Sequence, residues 1–234
     1  MQLFYSEKLD NEVFTFNESE SKHIVKVLRH NKGDIIQVTD GCGHMYNAQI
    51  LIADPVECRA SLKNSIPTAD KRNYYLHIAI APTKNNERIE FFVEKAVELG
   101  IDEISPLICE HSERKRININ RLEKIAVSAM KQSFKSTLTK INEPISFREF
   151  INTDFVGKKL IAYIQRDSAN TDFALNYSKN ENALILVGPE GDFSKEEIEM
   201  ASRNNFRLVS LGKSRLRTET AGITACCWVY YINQ

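Results

Sequence analysis

The sequence lacks the means for covalent cross-linking and has no excess charge. Its five cysteines, Cys42, Cys58, Cys109, Cys226 and Cys227, are an odd number, and none stands in Cys-x-x-Cys spacing. This argues against a disulfide framework and against a structural zinc site, and it predicts reduced thiols in a cytoplasmic protein. The 31 basic side chains balance 31 acidic ones. An anionic partner would therefore have to bind a local basic surface rather than the whole molecule.

Long apolar runs and metal-ligand patterns are also missing. No apolar run approaches the ~20 residues that span a bilayer. The opening residues MQLFYSEKLDNEVFTF carry neither the basic flank nor the apolar centre of a signal peptide. The five histidines are scattered without the spacing of metal ligands. We therefore expect a protein without a metal and without a membrane association.

Residues 1–68 have the pattern of a small β module. Alternating apolar residues in HMYNAQILI and ECRASLK, with turn residues between them, predict short strands of a barrel or sandwich. The segment FNESESKHIVKVLRH (16–30) has apolar residues at helical spacing and predicts a short helix. The polar, Pro-containing stretch SIPTADKRN (65–73) predicts a linker.

Strand and helix patterns alternate from residue 73 to residue 234. Buried strands are predicted at YYLHIAIAP, IDEISPLIC, KLIAYIQ, ALILVG and FRLVSLG. Helices are predicted at RIEFFVEKAVELG, NRLEKIAVSAMKQSFK (120–135), KEEIEMASRNN and TETAGITACCWVYYI, the third with a capping box of Ser194 and Glu197. This alternation is typical of an α/β domain with a mostly parallel sheet.

An acidic turn, GPEGDF (188–193), follows the predicted strand ALILV. It does not match a phosphate-binding loop, because Pro189 removes an N–H donor and because Glu190 and Asp192 would repel an anion. A turn of this kind suits a neutral or cationic ligand held by carbonyl groups at the carboxyl edge of a sheet. An ordinary strand-to-helix connection would explain the same residues.

A basic turn, LGKSRLRTETAG (211–222), follows the next predicted strand. Lys213, Arg215 and Arg217 precede a helix, and a cationic loop at a helix N-terminus favours an anion. A solvated basic loop is the simpler interpretation. Together, however, an acidic and a basic turn after successive strands suit a cationic cofactor beside an anionic polymer.

The two motifs LVGPEGDFSKEE and LGKSRLRTETA resemble those of the RsmE family of SPOUT methyltransferases, which methylate N3 of a uridine in 16S ribosomal RNA with S-adenosylmethionine. The likeness covers nearly the whole chain, since HIVKVLRHNKGDIIQVTDGCG is similar to that family's N-terminal barrel and FFVEKAVELGIDEISPL to its first α/β unit. The resemblance implies an RNA-binding PUA-like β-barrel at 1–68 and a SPOUT α/β domain with a deep trefoil knot at 73–234. It also implies a homodimer whose sites draw on both chains.

The resemblance further implies the residues of the cofactor site. The two walls of the S-adenosylmethionine pocket would be formed by Val187, Gly188, Pro189, Glu190 and Gly191, and by Leu211, Gly212, Leu216, Arg217 and Thr218. Arg217 is expected to stabilise the uracil anion that develops as N3 loses its proton. Glu219 is a candidate base or an orienting partner of Arg217, although the helix dipole alone would explain a carboxylate in the first turn.

Basic residues on other segments are candidates for binding 16S ribosomal RNA or the small ribosomal subunit. Between His111 and Lys140 there are eight Lys and Arg residues and two Glu residues, a local excess that favours phosphate contact over a merely solvated face. The predicted RNA-binding residues are Arg29, Lys124, Lys131, Lys135 and Arg215. KQSFK (131–135) stands where the family pattern has a sequence like EQSGR, and MQLFY lacks an expected arginine.

Two other functions compete with methyl transfer. The chain could be a non-catalytic RNA-binding protein with a vestigial cofactor pocket, in which case titration with S-adenosylmethionine would give no saturable heat. A nucleotide-phosphate enzyme is disfavoured, because the sequence has neither a Walker lysine motif nor GxGxxG.

Overall fold

The computed structural model describes residues 2–68, 72–163 and 172–234. By their contacts the residues group into two compact units. The first unit comprises Met1–Lys71 and Val127–Leu138, and the second comprises Arg72–Ala126 and Thr139–Gln234. The sequence predicted two contiguous domains, 1–68 and 73–234, and so placed residues 127–138 in the second domain, whereas their contacts group them with the first unit. The division into two functional domains stays a prediction.

The first unit is built on a six-stranded sheet with the strand order β1-β4-β5-β6-β3-β2. Its neighbouring strands are antiparallel, apart from the parallel pair β1 and β4. The predicted alternation is confirmed at Ala48, Ile50, Cys58 and Ala60, which are all buried, but not at Ile52, which is 48% exposed. The strands are β1 (Leu3–Tyr5), β2 (Leu9–Asp10), β3 (Val13–Thr15), β4 (Ile35–Thr39), β5 (Met45–Ile52) and β6 (Arg59–Ile66).

The helix predicted at 16–30 is present, in two parts. Helix α1 (Glu18–Lys22) begins at Asn17, whose side chain accepts a hydrogen bond from the Glu20 amide, as expected for an N-cap asparagine. A π-helical turn, His23–Val27, continues it. Ile24 in this turn is fully buried, whereas Val27, another of the apolar residues at helical spacing, is 64% exposed. The predicted apolar face is therefore confirmed at Ile24 and wrong at Val27.

The second unit contains a seven-stranded parallel sheet with the order β10-β8-β7-β12-β11-β13 and with β9 beside β8. The predicted strands are confirmed, although residues 164 and 165 of KLIAYIQ lie outside the described residues. Within the described ranges, no helix is long and apolar enough to cross a bilayer. The last part of α3, from Val127 on, belongs to the first unit. In chain order the elements after β6 are β7 (Leu76–Ile80), α2 (Asn86–Leu99), β8 (Glu103–Ile108), α3 (Ile119–Gln132), β9 (Lys140–Ile141), β10 (Ile145–Ser146), α4 (Phe147–Phe150), β11 (Lys158–Ala162), α5 (Phe173–Asn176), β12 (Ala183–Val187), α6 (Lys195–Arg203), β13 (Arg207–Val209) and α7 (Thr218–Ile232).

The centre of the second sheet is fully buried, which explains its continuous apolar sequences. Every residue of β7 and of β12 is buried, as is usual for parallel strands covered on both faces. Gly100 ends α2 in a left-handed conformation with φ 91°. The capping box of Ser194 and Glu197 at the start of α6 is present as predicted.

The end of helix α3 differs from the prediction. The helix was expected to continue to residue 135, but it ends at Gln132 because Phe134 takes a left-handed φ of 54°. The Phe134 amide donates to the carbonyl of Lys131, and the Lys135 amide donates to that of Met130. These two bonds form a Schellman motif, in which the left-handed residue is usually glycine. A left-handed phenylalanine costs about 1–2 kcal/mol of backbone energy.

An ion pair inside the first unit ties the segment Val127–Leu138 to α1. Lys131 Nζ lies 2.9 and 2.6 Å from the two carboxylate oxygens of Glu20. Glu20 also accepts a hydrogen bond from the Tyr5 amide at 3.0 Å. The two side chains are only 19% and 10% exposed, so loss of either partner would leave a nearly buried charge without its counter-ion.

A polar network lies at the amino ends of β7 and β8. His77 Nε2 is 2.8 Å from Ser105 Oγ, and its ring stacks edge-on against Phe150. Glu103 accepts hydrogen bonds from Asn142 and from Tyr75, both at 2.6 Å. Burial lowers the pKa of His77 to about 4. Burial would raise the pKa of Glu103, but these hydrogen bonds outweigh it and lower that pKa to about 2.

This network makes stability depend on pH in a predictable direction. Unfolded His77 takes up a proton near pH 6.5, whereas folded His77 does so only near pH 4. The unfolded state therefore binds more protons in this window, and the free energy of unfolding should fall as the pH drops from 6.5 towards 4. Urea unfolding at several pH values should show this slope. The slope should be smaller in His77→Gln, and an equal slope in both proteins would contradict the assignment.

Candidate active site

A cavity of about 350 Å³ lies in the second unit, beside the carboxyl ends of β11 and β12. Ala162 and Val187, the last residues of these strands, contribute to its wall, and so does Leu211, which closely follows β13. This is the edge of a parallel sheet where ligands usually bind. The acidic and the basic turns identified in the sequence thus reach the same cavity.

Nearly all of the predicted cofactor residues line this cavity. Among the described residues, nine of the ten do so: Val187, Gly188, Pro189, Glu190, Leu211, Gly212, Leu216, Arg217 and Thr218. The tenth, Gly191, is exposed in the same turn, where its Cα faces the His111 side chain closely. The structure adds lining residues that the sequence reading did not select as cofactor residues: Arg88, Ala162, Tyr163, Asp192, Ser214, Arg215 and Ala221.

A hydrogen bond holds the two turns together. Thr218, at the start of α7, donates from Oγ1 to the carbonyl of Gly188 at 3.0 Å. The acidic turn is closed by a bond from the Asp192 amide to the Pro189 carbonyl at 2.9 Å. A side chain at Gly188 would be crowded, because a Cβ there would lie 3.0 Å from the Phe193 ring. Glycine at this position lets the turn pack closely against that ring.

Removing the Thr218 hydroxyl should destabilise the protein. Thr218→Val keeps the shape of this buried side chain but leaves the Gly188 carbonyl without its donor, which should lower the free energy of unfolding by about 1–2 kcal/mol. Thr218→Ser retains the hydroxyl and is the matched control. Urea denaturation of the three proteins is the measurement. Equal stability of Thr218→Val and wild type would show that the bond is unimportant.

A cluster of three charges, Arg88, Glu190 and Glu219, borders the cavity. The Arg88 guanidinium lies 3.9 Å from Glu190 Oε1 and 3.9 Å from Glu219 Oε1. The Glu219 side chain is only 10% exposed, and among the described residues its Oε2 atom has no hydrogen-bond partner. One cation between two anions leaves an excess negative charge, which suits a cationic ligand.

Arg88 is the main site residue that the sequence analysis missed. It stands in the first turn of α2, where a cation interacts unfavourably with the helix dipole. It also follows closely on the carboxyl end of β7, a strand now seen to be central. A basic residue in the first turn of a helix, after a central strand, could have indicated a site residue. Its partners, Glu190 and Glu219, could not be predicted, because they are far away in sequence.

The two predicted catalytic residues have different environments. Arg217 is exposed and lines the cavity as the N-cap residue of α7. Glu219 lies one helical position further into α7 than Thr218, and its carboxylate is closed off from solvent beside Arg88. The structure pairs Glu219 with Arg88 at 3.9 Å, and the roles predicted for Arg217 and Glu219 stay predictions.

The predicted RNA-binding residues are distributed over both units. In the first unit, Arg29 is exposed with a left-handed φ of 59°, Lys131 is paired with Glu20, and Lys135 lies beyond the end of α3. In the second unit, Lys124 is exposed on α3 and Arg215 is exposed at the cavity. Lys135 lies outside the helix although the sequence predicted a helix over 120–135, because α3 ends at Gln132.

Comparison with known proteins agrees with this architecture. Residues 70–230 match a family described as an RNA methyltransferase domain, and residues 16–62 match an RNA methyltransferase PUA domain. A ribosomal RNA small subunit methyltransferase E of Mesomycoplasma hyopneumoniae is 30% identical, over 95% of each chain. The chain belongs to the ribosomal RNA small subunit methyltransferase E family. The family prediction made from GPEG and LRTETA is thus confirmed.

Solved structures of similar proteins extend over the same length. A probable rRNA methyltransferase from Porphyromonas gingivalis is 41% identical with a TM-score of 0.91, covering 100% of this chain and 98% of the other. The family member from Neisseria gonorrhoeae, solved with bound S-adenosyl methionine, is 25% identical with a TM-score of 0.87 and the same coverage. The prediction of a PUA domain followed by an α/β methyltransferase domain is confirmed.

Proposed function

We propose that this protein methylates N3 of a uridine in 16S ribosomal RNA, with S-adenosylmethionine as the methyl donor. The observation that carries the proposal is the single cavity formed by the acidic and the basic turns, in a family of which one member is known with S-adenosyl methionine bound.

The residues around the cavity fit this donor. When bound, S-adenosylmethionine supplies a methyl group activated by its sulfonium charge. Glu190 and Asp192 add negative charge to the wall, which favours a cation, while Pro189 lacks the N–H that an anion would need. Val187 and Leu216 provide apolar surface for an adenine ring, and the backbone at Gly188 and Gly212 offers polar groups to its edge.

We assign the chemistry on the RNA to the basic side of the cavity. Arg217 is exposed and placed to donate hydrogen bonds to a uracil that loses its N3 proton, and so to stabilise the developing anion. Arg88 adds a second cation on the opposite, acidic side, with its position set by Glu190 and Glu219. Because Glu219 Oε2 is buried and the side chain is only 10% exposed, we assign Glu219 as a positioning residue rather than as a base.

RNA contact, assembly and location follow from the same proposal. Arg29, Lys124, Lys131, Lys135 and Arg215 are the proposed contacts to 16S ribosomal RNA or the small ribosomal subunit. The enzyme would work in the cytoplasm as a homodimer whose sites use both chains. Two exposed tyrosines of α7, Tyr230 and Tyr231, are large apolar groups of the kind that protein interfaces cover.

A trefoil knot in the second unit is part of the proposal. The strand order supports it, because β12 lies between β7 and the earlier strand β11, while β13 is at the sheet edge. After this edge strand the chain returns as α7 to pack on β7, β12 and α2. A crossing of this kind is rare in ordinary folds, and tracing the chain in an experimental density map would test it.

The function is tested by mass spectrometry of 16S ribosomal RNA from cells with and without the gene. We expect 3-methyluridine to disappear without the gene and to return with the wild-type protein. Titration calorimetry with S-adenosylmethionine should show saturable heat. Unchanged methyluridine would refute the reaction, and an absence of binding heat would favour the vestigial pocket.

A further inference from the structure

We propose that Phe134 is a stacking platform for an unpaired RNA base, at a cavity within the first unit. The inference goes beyond the methyl-transfer site and uses the proposed function only for the identity of the partner, RNA. It is carried by four features of the same region: a cavity, a strained and exposed aromatic residue, an adjacent apolar residue and a surplus of basic residues.

The cavity is formed entirely by residues of the first unit and has a volume of about 650 Å³. Its walls come from the first strand at Leu3, from α1 and the π-helical turn at Glu20 and Val27, and from the segment Val127–Leu138 at Lys131 and Phe134. A space of this size is comparable to that of a small-molecule pocket and can hold one nucleotide.

Phe134 is in an unfavourable conformation without being buried. It takes a φ of 54° at a helix end where glycine would be unstrained, and it leaves 40% of its surface exposed. Because burial of its side chain offsets little of this strain, Phe134 points to a role in binding rather than in stability. The side chain forms a flat apolar surface beside the cavity.

A second exposed apolar residue lies in the same cavity wall. Val27 is 64% exposed and is the last residue of the π-helical turn that follows α1. Turns of this kind inside helices are rare and occur frequently at functional sites. Phe134 and Val27 thus present apolar groups to the cavity from two separate segments of the chain.

The charges of these segments favour RNA over a protein partner. The acid in the cavity wall, Glu20, is neutralised by Lys131. Lys135 directly follows Phe134, and Lys26 and Arg29 flank Val27. Stacking on an aromatic ring with lysine or arginine at the phosphates is the usual way of binding single-stranded nucleic acid. An apolar peptide would gain nothing from these neighbouring basic residues.

Substitution of Phe134 separates a binding role from a structural one. Phe134→Gly should bind a short single-stranded oligouridylate about tenfold more weakly, as measured by fluorescence anisotropy, while its urea midpoint should rise because the backbone strain is relieved. Phe134→Leu keeps apolar volume without the π face and should also bind weakly. Phe134→Trp should bind at least as well as wild type. Affinity for S-adenosylmethionine should be the same in all four proteins.

Val156→Ser is the matched control, because Val156 is an 88% exposed apolar residue of the second unit, and it should bind RNA like wild type. Unchanged RNA affinity in Phe134→Gly and Phe134→Leu would overturn the inference. So would a lower urea midpoint for Phe134→Gly, or a change in self-association without a change in RNA binding. If any of these results is found and the wild-type protein still methylates ribosomal RNA, the inference about Phe134 fails and the proposed function stands. If the wild-type protein does not methylate ribosomal RNA, the proposed function fails.

Discussion

Arg88→Met is expected to lower kcat/KM for methylation of ribosomal RNA about 100-fold, the scale seen when one preorganised donor is removed from an active site. The Arg88 guanidinium is the shared counter-ion of Glu190 and Glu219, at 3.9 Å from each. Without it, two carboxylates of the same sign remain at the edge of the cavity, and one of them has an oxygen that already lacks a hydrogen-bond partner among the described residues. Steady-state kinetics with purified ribosomal RNA measures the effect.

Two further variants distinguish loss of chemistry from loss of folding. Arg88→Lys keeps the charge but not the planar group that can reach two carboxylates at once, so an intermediate rate is expected. Arg88→Met/Glu219→Met removes both charges and should recover stability, since a buried ion pair is often replaceable by apolar residues, but it should not recover activity. Recovery of full activity in the double variant would show that Arg88 contributes to stability and not to catalysis.

Gly222→Val is expected to lower the free energy of unfolding by about 3 kcal/mol. A Cβ at Gly222 would lie 2.5 Å from the Phe92 ring and 2.9 Å from Ile80 Cδ1, and both side chains are fully buried. Helix α7 would have to move away from α2 and β7. Because Thr218 and Arg217 stand at the start of α7, the cavity should be disturbed as well, and binding of S-adenosylmethionine should weaken.

The control for this prediction is Thr220→Val, which introduces the same side chain at an exposed position two residues earlier in α7. Substitution at an exposed helical site usually changes stability by less than about 0.5 kcal/mol. Urea unfolding of both variants is the measurement. Glycine in the middle of a helix is about 0.5–1 kcal/mol less stable than alanine, so without close packing a side chain at position 222 would not destabilise the protein. A Gly222→Val protein as stable as wild type would therefore contradict the close packing.

The parts of the fold that could be predicted are those encoded by local pattern. Continuous apolar runs indicated β7 and β12 because central parallel strands are buried on both faces. Gly100, Ser194 and Glu197 marked helix ends because caps act within a few residues. The two turns could be paired as one site because carboxyl ends of parallel strands share an edge; their family resemblance then supplied the ligand.

The features that could not be predicted depend on contacts between distant parts of the chain. Arg88 meets Glu190 and Glu219 only after the sheet has formed, and no spacing rule connects them. The ion pair of Glu20 with Lys131 is of the same kind. The sequence predicted that α3 would extend to residue 135, because Phe134 continues the apolar and basic pattern of the helix. The left-handed backbone at Phe134 ends the helix earlier.

The assignment of Val127–Leu138 to the first unit has a consequence for synthesis on the ribosome. The sheet of this unit is complete in sequence by Ile66, yet the lysine that neutralises Glu20 comes from Lys131. A nascent chain that has emerged only as far as residue 71 lacks the lysine that pairs with Glu20. The contacts of the first unit are therefore complete only after residues 127–138 have been made, when synthesis of the second unit is already under way.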